Sequence, residues 1–298
     1  MARTRFRSDA GLVARMSTVM LLLGALYVTV FVALAVFTNL SGPFVLFLAA
    51  AFGLGQWYFS DRLSMAAMRA REVSPEEAPE LHGMIDRLCV LADMPKPRVA
   101  IADTDIPNAF ATGRSPSHSV VCVTTGVMRR LDRDELEGVL SHELSHVAHR
   151  DVTVMTIAGF LGVAAGLVMR WGMYFGGGRR DGNSVPFIVI WLGSILVYLI
   201  SFLLTRVLSR YRELSADRSG AYLTGKPSAL ASALTKISGD MARIPTRDLR
   251  QVEGASAFLF APAINRQSIS ALFASHPPLE SRLDQLAKIS ADLSRPSA

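Results

Sequence analysis

Apolar residues in this chain are arranged in two ways, as long uncharged runs and as short periodic stretches. The first run, 16–40 ("MSTVMLLLGALYVTVFVALAVFTNL"), has no charged residue, and "SGP" at 41–43 separates it from a second at 43–60. A third, 152–178, is interrupted only by Arg170, and a fourth covers 185–205. Each has roughly the 20 residues a helix needs to cross a bilayer core. The spacing therefore predicts two hydrophobic hairpins, at 16–60 and 152–205, the second turning at "GGGRRDGNSVP".

The remaining pattern is that of a water-facing domain. "SPEE" at 74–77, followed by "LHGMIDRLCVLADM", predicts an amphipathic helix with Ser74 as N-cap, Pro75 in the first turn and Glu77 reaching back. "DRDELEGVLSHELSHVAHR" predicts a helix through residue 150, opened by a capping box of Asp132 and Glu135. Short β-branched runs at 98–103 and 119–126 read as strands of a small sheet, with "NAFATG" (108–113) between them. The stretch "ASAFLFAPAI" (255–264) is too short to span and reads as a lid, an interfacial contact or core packing.

Composition strengthens the membrane reading. Half of the 298 residues are hydrophobic and 19% are charged, whereas soluble domains carry about a quarter. Two cysteines, Cys89 and Cys122, are too few for a disulfide framework and read as buried thiols in a reducing compartment. The net charge of +6 is spread along the chain, which favours membrane orientation over nucleic-acid binding. Arg3, Arg5, Arg7 and Arg15 against Asp9 place the N-terminus in the cytoplasm, and Arg206, Arg210 and Arg212 follow the fourth run, as an even number of crossings requires. Arg179 and Arg180 run against this rule, while Arg170, beside Trp171 and Tyr174, reads as a snorkelling interface residue. "ALA" at 33–35 resembles a signal-peptide cleavage site, but the apolar stretch is too long and leads into another.

The candidate chemistry is concentrated in His142, Glu143 and His146, an HExxH sequence. On a helix, imidazoles at i and i+4 share one face and can hold one zinc ion, with Glu143 facing the open coordination position. A third protein ligand is needed. The metzincin extension requires Gly at 149 and His at 152, where this chain has His149 and Val152. A thermolysin-like site takes a Glu from a second helix, and "RYRELSAD" offers Glu213 with Asp217 one turn later. Two apolar runs lie between His146 and Glu213, so an out-and-back passage returns both to one side of the membrane. His149 as a fourth ligand would close the position a catalytic zinc keeps open, so it reads as a surface or supporting residue. His82 and His118 read as solvent-exposed, and Arg150 and Asp151 as a cap or pair without chemistry.

These motifs, in this order and over nearly the whole chain, resemble the HtpX-like membrane zinc proteases, relatives of the CAAX prenyl endopeptidases. The resemblance rests on the N-terminal hairpin, "NAFATG", "HELSHVAHRD", two apolar segments, "ELSAD" and "HPPLESR" (276–282). It implies that Glu213 is the third zinc ligand and that Asp217 orients a zinc-bound histidine. It implies that Asn108, Ala109 and Phe110 lie on an edge strand aligning an extended peptide by main-chain pairing. His276 and Arg282 are implied near the active site, where a donor steadies the developing oxyanion; packing and capping after "HPP" is their other reading.

The expected fold is mainly α: an integral membrane protein with four hydrophobic helices and a cytoplasmic gluzincin-type zinc protease domain containing a small β-sheet. Its expected parts are 1–15, a basic cytoplasmic N-terminus; 16–60, a transmembrane hairpin; 61–151, the first part of the protease domain; 152–205, the second hairpin; and 206–298, the remainder with the third ligand. The expected activity is zinc-dependent endopeptidase cleavage of misfolded or damaged membrane proteins at the cytoplasmic face of the cell membrane, with one Zn²⁺ per chain. Expected partners are membrane-protein or unfolded polypeptide substrates and the lipid bilayer, not nucleic acid. Two alternatives are a CAAX-type prenyl-peptide endopeptidase, which the small number of apolar segments disfavours, and a non-enzymatic zinc-stabilised membrane adaptor, which the intact Glu143 disfavours.

Overall fold

The computed structural model describes residues 10–37, 57–160, 185–241 and 277–295, together with 51, 54, 55, 162 and 165. The second apolar run before residue 51, most of the third beyond 160 with Arg170, the stretch 255–264, and His276 lie outside the described residues. The described elements are α1 (Ala10–Phe37), α2 (Ser60–Ala67), β1 (Ala70–Glu72), α3 (Pro79–Ala92), β2 (Arg98–Ala102), β3 (Ala109–Ser115), β4 (His118–Thr124), α4 (Thr125–Arg130), α5 (Arg133–Ala148), α6 (Asp151–Phe160), α7 (Val185–Thr224), α8 (Pro227–Met241) and α9 (Leu279–Ser294). Contacts divide the chain into two units: Met1–Val13, Trp57–Thr153 and Arg210–Ala298 form one, Ala14–Gln56 and Val154–Ser209 the other.

In the second unit the Tyr27 hydroxyl donates to the Ile157 carbonyl, its ring stacks on Phe160, and the Thr205 hydroxyl donates to the Ala158 carbonyl at 3.2 Å. Among the described residues, two helices are long and apolar enough to cross a membrane, with windows at Val13–Val30 and within Trp191–Thr224. Only 11% and 17% of those windows is buried, so neither is the enclosed core helix of a soluble domain. Leu21, Leu22, Leu192, Leu196 and Leu203 point outward, as a lipid-facing helix requires.

The first unit is built on a four-stranded sheet of order β1-β2-β4-β3. Its two central strands run parallel, and β3 lies antiparallel to β4 at the edge. Strand alternation sorts the side chains: Val99, Val121 and Val123 enter the main core with α3, α5 and α8, while Ala100, Ala102, Val120 and Cys122 pack with Met68 and Phe110 on the other face. The sheet is covered on both faces, which explains the nearly unbroken apolar run of β4. Both cysteines are buried free thiols, and burial pushes Cys89 up to about 11 and Cys122 to about 12.

Helix α5 begins as its sequence dictates. The Asp132 side chain accepts from the Glu135 N–H and the Glu135 carboxylate accepts from the Asp132 N–H. Glu135 also accepts from Ser232 and Lys236 of α8, and Glu137 pairs with Arg87 of α3 at 2.5 Å, so acids near the start of α5 anchor it to both neighbours. Two glycines let the helices close. A Cβ on Gly138 would come within 3.1 Å of the Leu230 backbone, and one on Gly220 within 2.8 Å of Ser141 Oγ and 3.0 Å of the His142 nitrogen.

Three departures from the sequence reading lie between residues 70 and 82. The Ser74 and Glu77 capping bonds form, but they close a turn, and the α-helix starts later, at Pro79. Strand β1 is an addition, its register with β2 set by Ala70↔Ala102. His82, expected in solvent, is buried and its Nε2 bonds the Val73 carbonyl at 3.0 Å, which ties α3 to the chain entering it; an isolated histidine carries no periodicity from which such a contact could be read.

The same substitution is expected to have opposite effects at two helical glycines. Gly220→Ala forces α7 away from α5 and costs about 1–3 kcal/mol, whereas Gly83→Ala in α3, where a Cβ meets nothing within 4 Å, gains up to about 1 kcal/mol from helix propensity. Thermal unfolding of the two purified variants in detergent measures both shifts, and shifts of equal sign contradict the packing described.

Candidate metal centre

The site forms where α5, β3 and α7 meet within the first unit. Helix periodicity sets His142 and His146 one above the other on α5, with their Nε2 atoms 3.1 Å apart. Glu213, on α7, brings Oε1 to 3.4 Å from His146 Nε2 and Oε2 to 3.7 Å from His142 Nε2. Among the described residues these three form the one group of metal-ligating side chains whose donor atoms all lie within 4.8 Å of each other. Two ligands of one tetrahedral zinc, each about 2.1 Å from it, stand roughly 3.4 Å apart, so the spacing fits a metal without rearrangement.

Hydrogen bonding behind the imidazoles makes the same demand. His142 Nδ1 lies 2.8 Å from Asp217 Oδ1, and His146 Nδ1 lies 2.6 Å from Asp151 Oδ2. A neutral imidazole whose Nδ1–H faces the carboxylate behind it leaves its Nε2 lone pair free to bind a metal. The donor set of two imidazoles and one carboxylate is that of a catalytic zinc site with a coordination position left over.

Asp217 is held in turn. Arg282, on α9, donates from Nε and Nη2 to its two carboxylate oxygens, each at 2.7 Å, and all four of these donor and acceptor atoms are buried. Nη1 of the same guanidinium lies 3.7 Å from Glu213 Oε2. Burial opposes the charge on Arg282, but Asp217, Glu213 and Glu143 outweigh it and hold its pKa above the usual range. Arg282 thus reaches the centre chiefly through Asp217.

Glu143 sits on the strand side. Its Oε2 accepts from the Ala111 N–H of β3 at 2.9 Å. Burial pushes its pKa up to about 8; His146 opposes that rise and Glu213 adds to it. Burial likewise pushes His142 down to about 4 in spite of Asp217, whereas for His146 the Glu213 and Glu143 carboxylates outweigh burial and raise it.

Ala109 and Phe110 lie on the edge strand β3, both buried, and Asn108 directly precedes it. Asn108 is fixed by its backbone: its N–H donates to Thr124 Oγ1 and its carbonyl accepts from the Thr124 N–H, both at 2.9 Å. Antiparallel alternation then turns the polar backbone groups of residues 109, 111 and 113 away from β4, and the Ala111–Glu143 bond follows that direction.

His149 lies outside the ligand group and caps α5, its N–H donating to the Ser145 carbonyl at 2.9 Å. His118 is exposed, as read from the sequence. Asp151 is the residue that sequence reasoning missed. The sequence ended the helix at 150 and read Asp151 as a cap or pair, but the left-handed conformation of Arg150, which sets the direction of Asp151, is not legible in the local pattern.

Comparison with known proteins agrees with this geometry. The model of peptidase family M48 matches residues 75–290. Protease HtpX homolog 1 of Streptomyces coelicolor is 55% identical over 98% of this chain and 97% of its own length, and the Protease HtpX homolog of Moorella thermoacetica is 52% identical over 98% of both. The Protease HtpX homolog of Pyrococcus furiosus is 43% identical over 80% of this chain and 82% of its own. The crystal structure of S. mikatae Ste24p shares the fold, with a TM-score of 0.55 at 18% identity, covering 93% of this chain and 67% of that one. A donor triad with a carboxylate poised at a sheet edge and full-length identity to HtpX homologs lead to one conclusion: the chain belongs to peptidase family M48 and is a membrane metalloendopeptidase.

Proposed function

We propose that this chain is a multi-pass, zinc-dependent endopeptidase of the cell membrane. It holds one zinc ion through His142, His146 and Glu213 and cleaves extended segments of membrane proteins or unfolded polypeptides at the cytoplasmic face. One observation carries this reading: the Glu143 carboxylate, beside the ligands, is hydrogen-bonded at 2.9 Å to the backbone of the edge strand. A base tied to a sheet edge acts on a peptide that pairs with that edge.

The mechanism follows from that placement. The metal, when bound, supplies Lewis-acid polarisation of the scissile carbonyl and makes water nucleophilic near neutral pH. A substrate strand lies along residues 109–113, positioned by main-chain pairing. Glu143 removes a proton from the attacking water as the water oxygen bonds to the carbonyl carbon, and passes that proton to the departing amide nitrogen as the C–N bond breaks. Burial that raises its proton affinity suits a group that must first take and then deliver a proton. Asp217, anchored by Arg282, keeps His142 aimed, and the oxyanion role inferred for Arg282 would act through Nη1. His276 remains assigned to the same region on the sequence resemblance alone.

Four crossings with both termini in the cytoplasm are supported by the arginine distribution and by two outward-facing apolar helices. A role in quality control of membrane proteins accords with placing a main-chain-reading protease in the membrane, since damaged substrates share backbone rather than sequence.

Glu143→Gln is expected to keep metal and fold and to lose about 10²–10⁴-fold in cleavage rate, read on an unfolded substrate in detergent; wild-type rates in this variant eliminate the assigned base. Glu213→Gln is expected to lower the metal content of the purified protein, and unchanged stoichiometry rules out that ligand. Chelator-treated protein is expected to lose stability towards both acid and alkaline pH. Towards alkaline pH the folded chain retains protons on Glu143, raised to about 8, and on His146, which the unfolded chain releases, so stability falls. Towards acid pH the unfolded chain binds protons that His142 and His149, both depressed to about 4, refuse, so stability falls again. Thermal midpoints against pH test this, and Glu143→Gln should flatten the alkaline limb.

A further inference from the structure

Helix α5 ends at Ala148, and the chain then makes a tight turn. His149 remains right-handed, but Arg150 has φ 56°, the left-handed conformation that closes helices and that costs a residue with a side chain about 1–2 kcal/mol. The Arg150 N–H donates to the Val147 carbonyl at 3.1 Å, completing the stop. This turn carries the Asp151 carboxylate back to His146, where it accepts the Nδ1–H at 2.6 Å.

Behind Asp151 stands Arg212, only 3% exposed. Its Nη2 pairs with Asp151 Oδ1 and lies 3.4 Å from the His149 carbonyl at the end of α5. Arg212 directly precedes Glu213, so one short stretch of α7 grips the turn that holds His146 and also presents the third ligand. The two histidines are thus supported alike, His142 by Asp217 and Arg282, His146 by Asp151 and Arg212.

Building on the metal-centre reading, we infer that Asp151 and Arg212 are positioning residues of this centre: Asp151 fixes the tautomer and rotation of His146, and Arg212 locks Asp151 while setting the rotation of α7 that aims Glu213. The geometry is specific to that task. A buried ion pair serving only as a helix stop needs no contact with an imidazole, and the carboxylate here uses one oxygen for the histidine and the other for the arginine. Carboxylates behind metal-bound histidines raise ligand basicity and hold the ring, and their loss typically costs about 10–100-fold in metal affinity.

The test uses full-length protein in detergent, with Zn²⁺ affinity from competition with a chelator and the visible absorption of the Co²⁺-loaded form. Asp151→Ala is expected to weaken Zn²⁺ binding by about 10–100-fold and to shift the Co²⁺ spectrum. Asp151→Asn, whose amide oxygen still accepts the Nδ1–H, is expected to recover most of the affinity, and Arg212→Met to lose affinity in the same direction. If the alanine variant is not recovered, Arg212→Met carries the test: weakened Zn²⁺ affinity supports the role, and wild-type affinity with an unchanged spectrum overturns it. Lower thermal stability in the alanine or methionine variants with affinity and spectrum unchanged reduces the pair to a structural ion pair and overturns the inference. Absence of metal binding by the wild-type protein would instead remove the metal-centre reading beneath it, so the two failures are distinguishable.

Discussion

Two imidazole nitrogens held 3.1 Å apart beside the Glu213 carboxylate form a converging donor set, and the surrounding structure is organised to maintain it. Each ring is prevented from turning away by a carboxylate on its far nitrogen, and each carboxylate is held by a buried arginine. An ion pair buried to this extent contributes little net stability by itself, because desolvation offsets much of the attraction. Its use lies in specifying one arrangement in which the donors converge.

Helix α7 supplies the convergence. Glu213 and Asp217, one turn apart, face His146 and His142, while Arg212 reaches the turn after α5. This requires α7 to lie unusually close to α5, and Gly220 supplies the clearance beside Ser141 and His142. The acids at the N-terminal end of α5 fix the same helix from the other side, through Arg87 and Lys236. A helix buried on almost every face carries polar groups at low cost when they have defined partners, and along α5 the side chains of Glu135, Ser141, Glu143, Ser145 and His146 have them.

The sheet supplies the other half of the site. Its central strands are enclosed, which leaves β3 as the edge next to α5. Glu143 bonded to Ala111 couples that edge to the metal-binding helix, so the strand that would align a peptide and the base that would act on it are held together. Burial gives Glu143 a proton affinity far above that of a surface carboxylate, a property conferred by its position rather than by its residue type.

The sequence by itself determined what repeats locally. Uncharged runs of spanning length, the Asp132–Glu135 capping box and the HExxH spacing were all legible, because each is a relation between residues at most a few turns apart, and the ordered motifs were enough to indicate the family. The tertiary structure decided what depends on where the chain turns and what it then meets. The burial of His82, the late start of α3, the addition of β1, the commitment of Arg282 to Asp217 and the return of Asp151 to His146 each depend on a partner distant in sequence or on a single left-handed residue. The sequence read Asp151 only as a cap or pair, and it is the left-handed turn at Arg150 that places it behind the metal ligand.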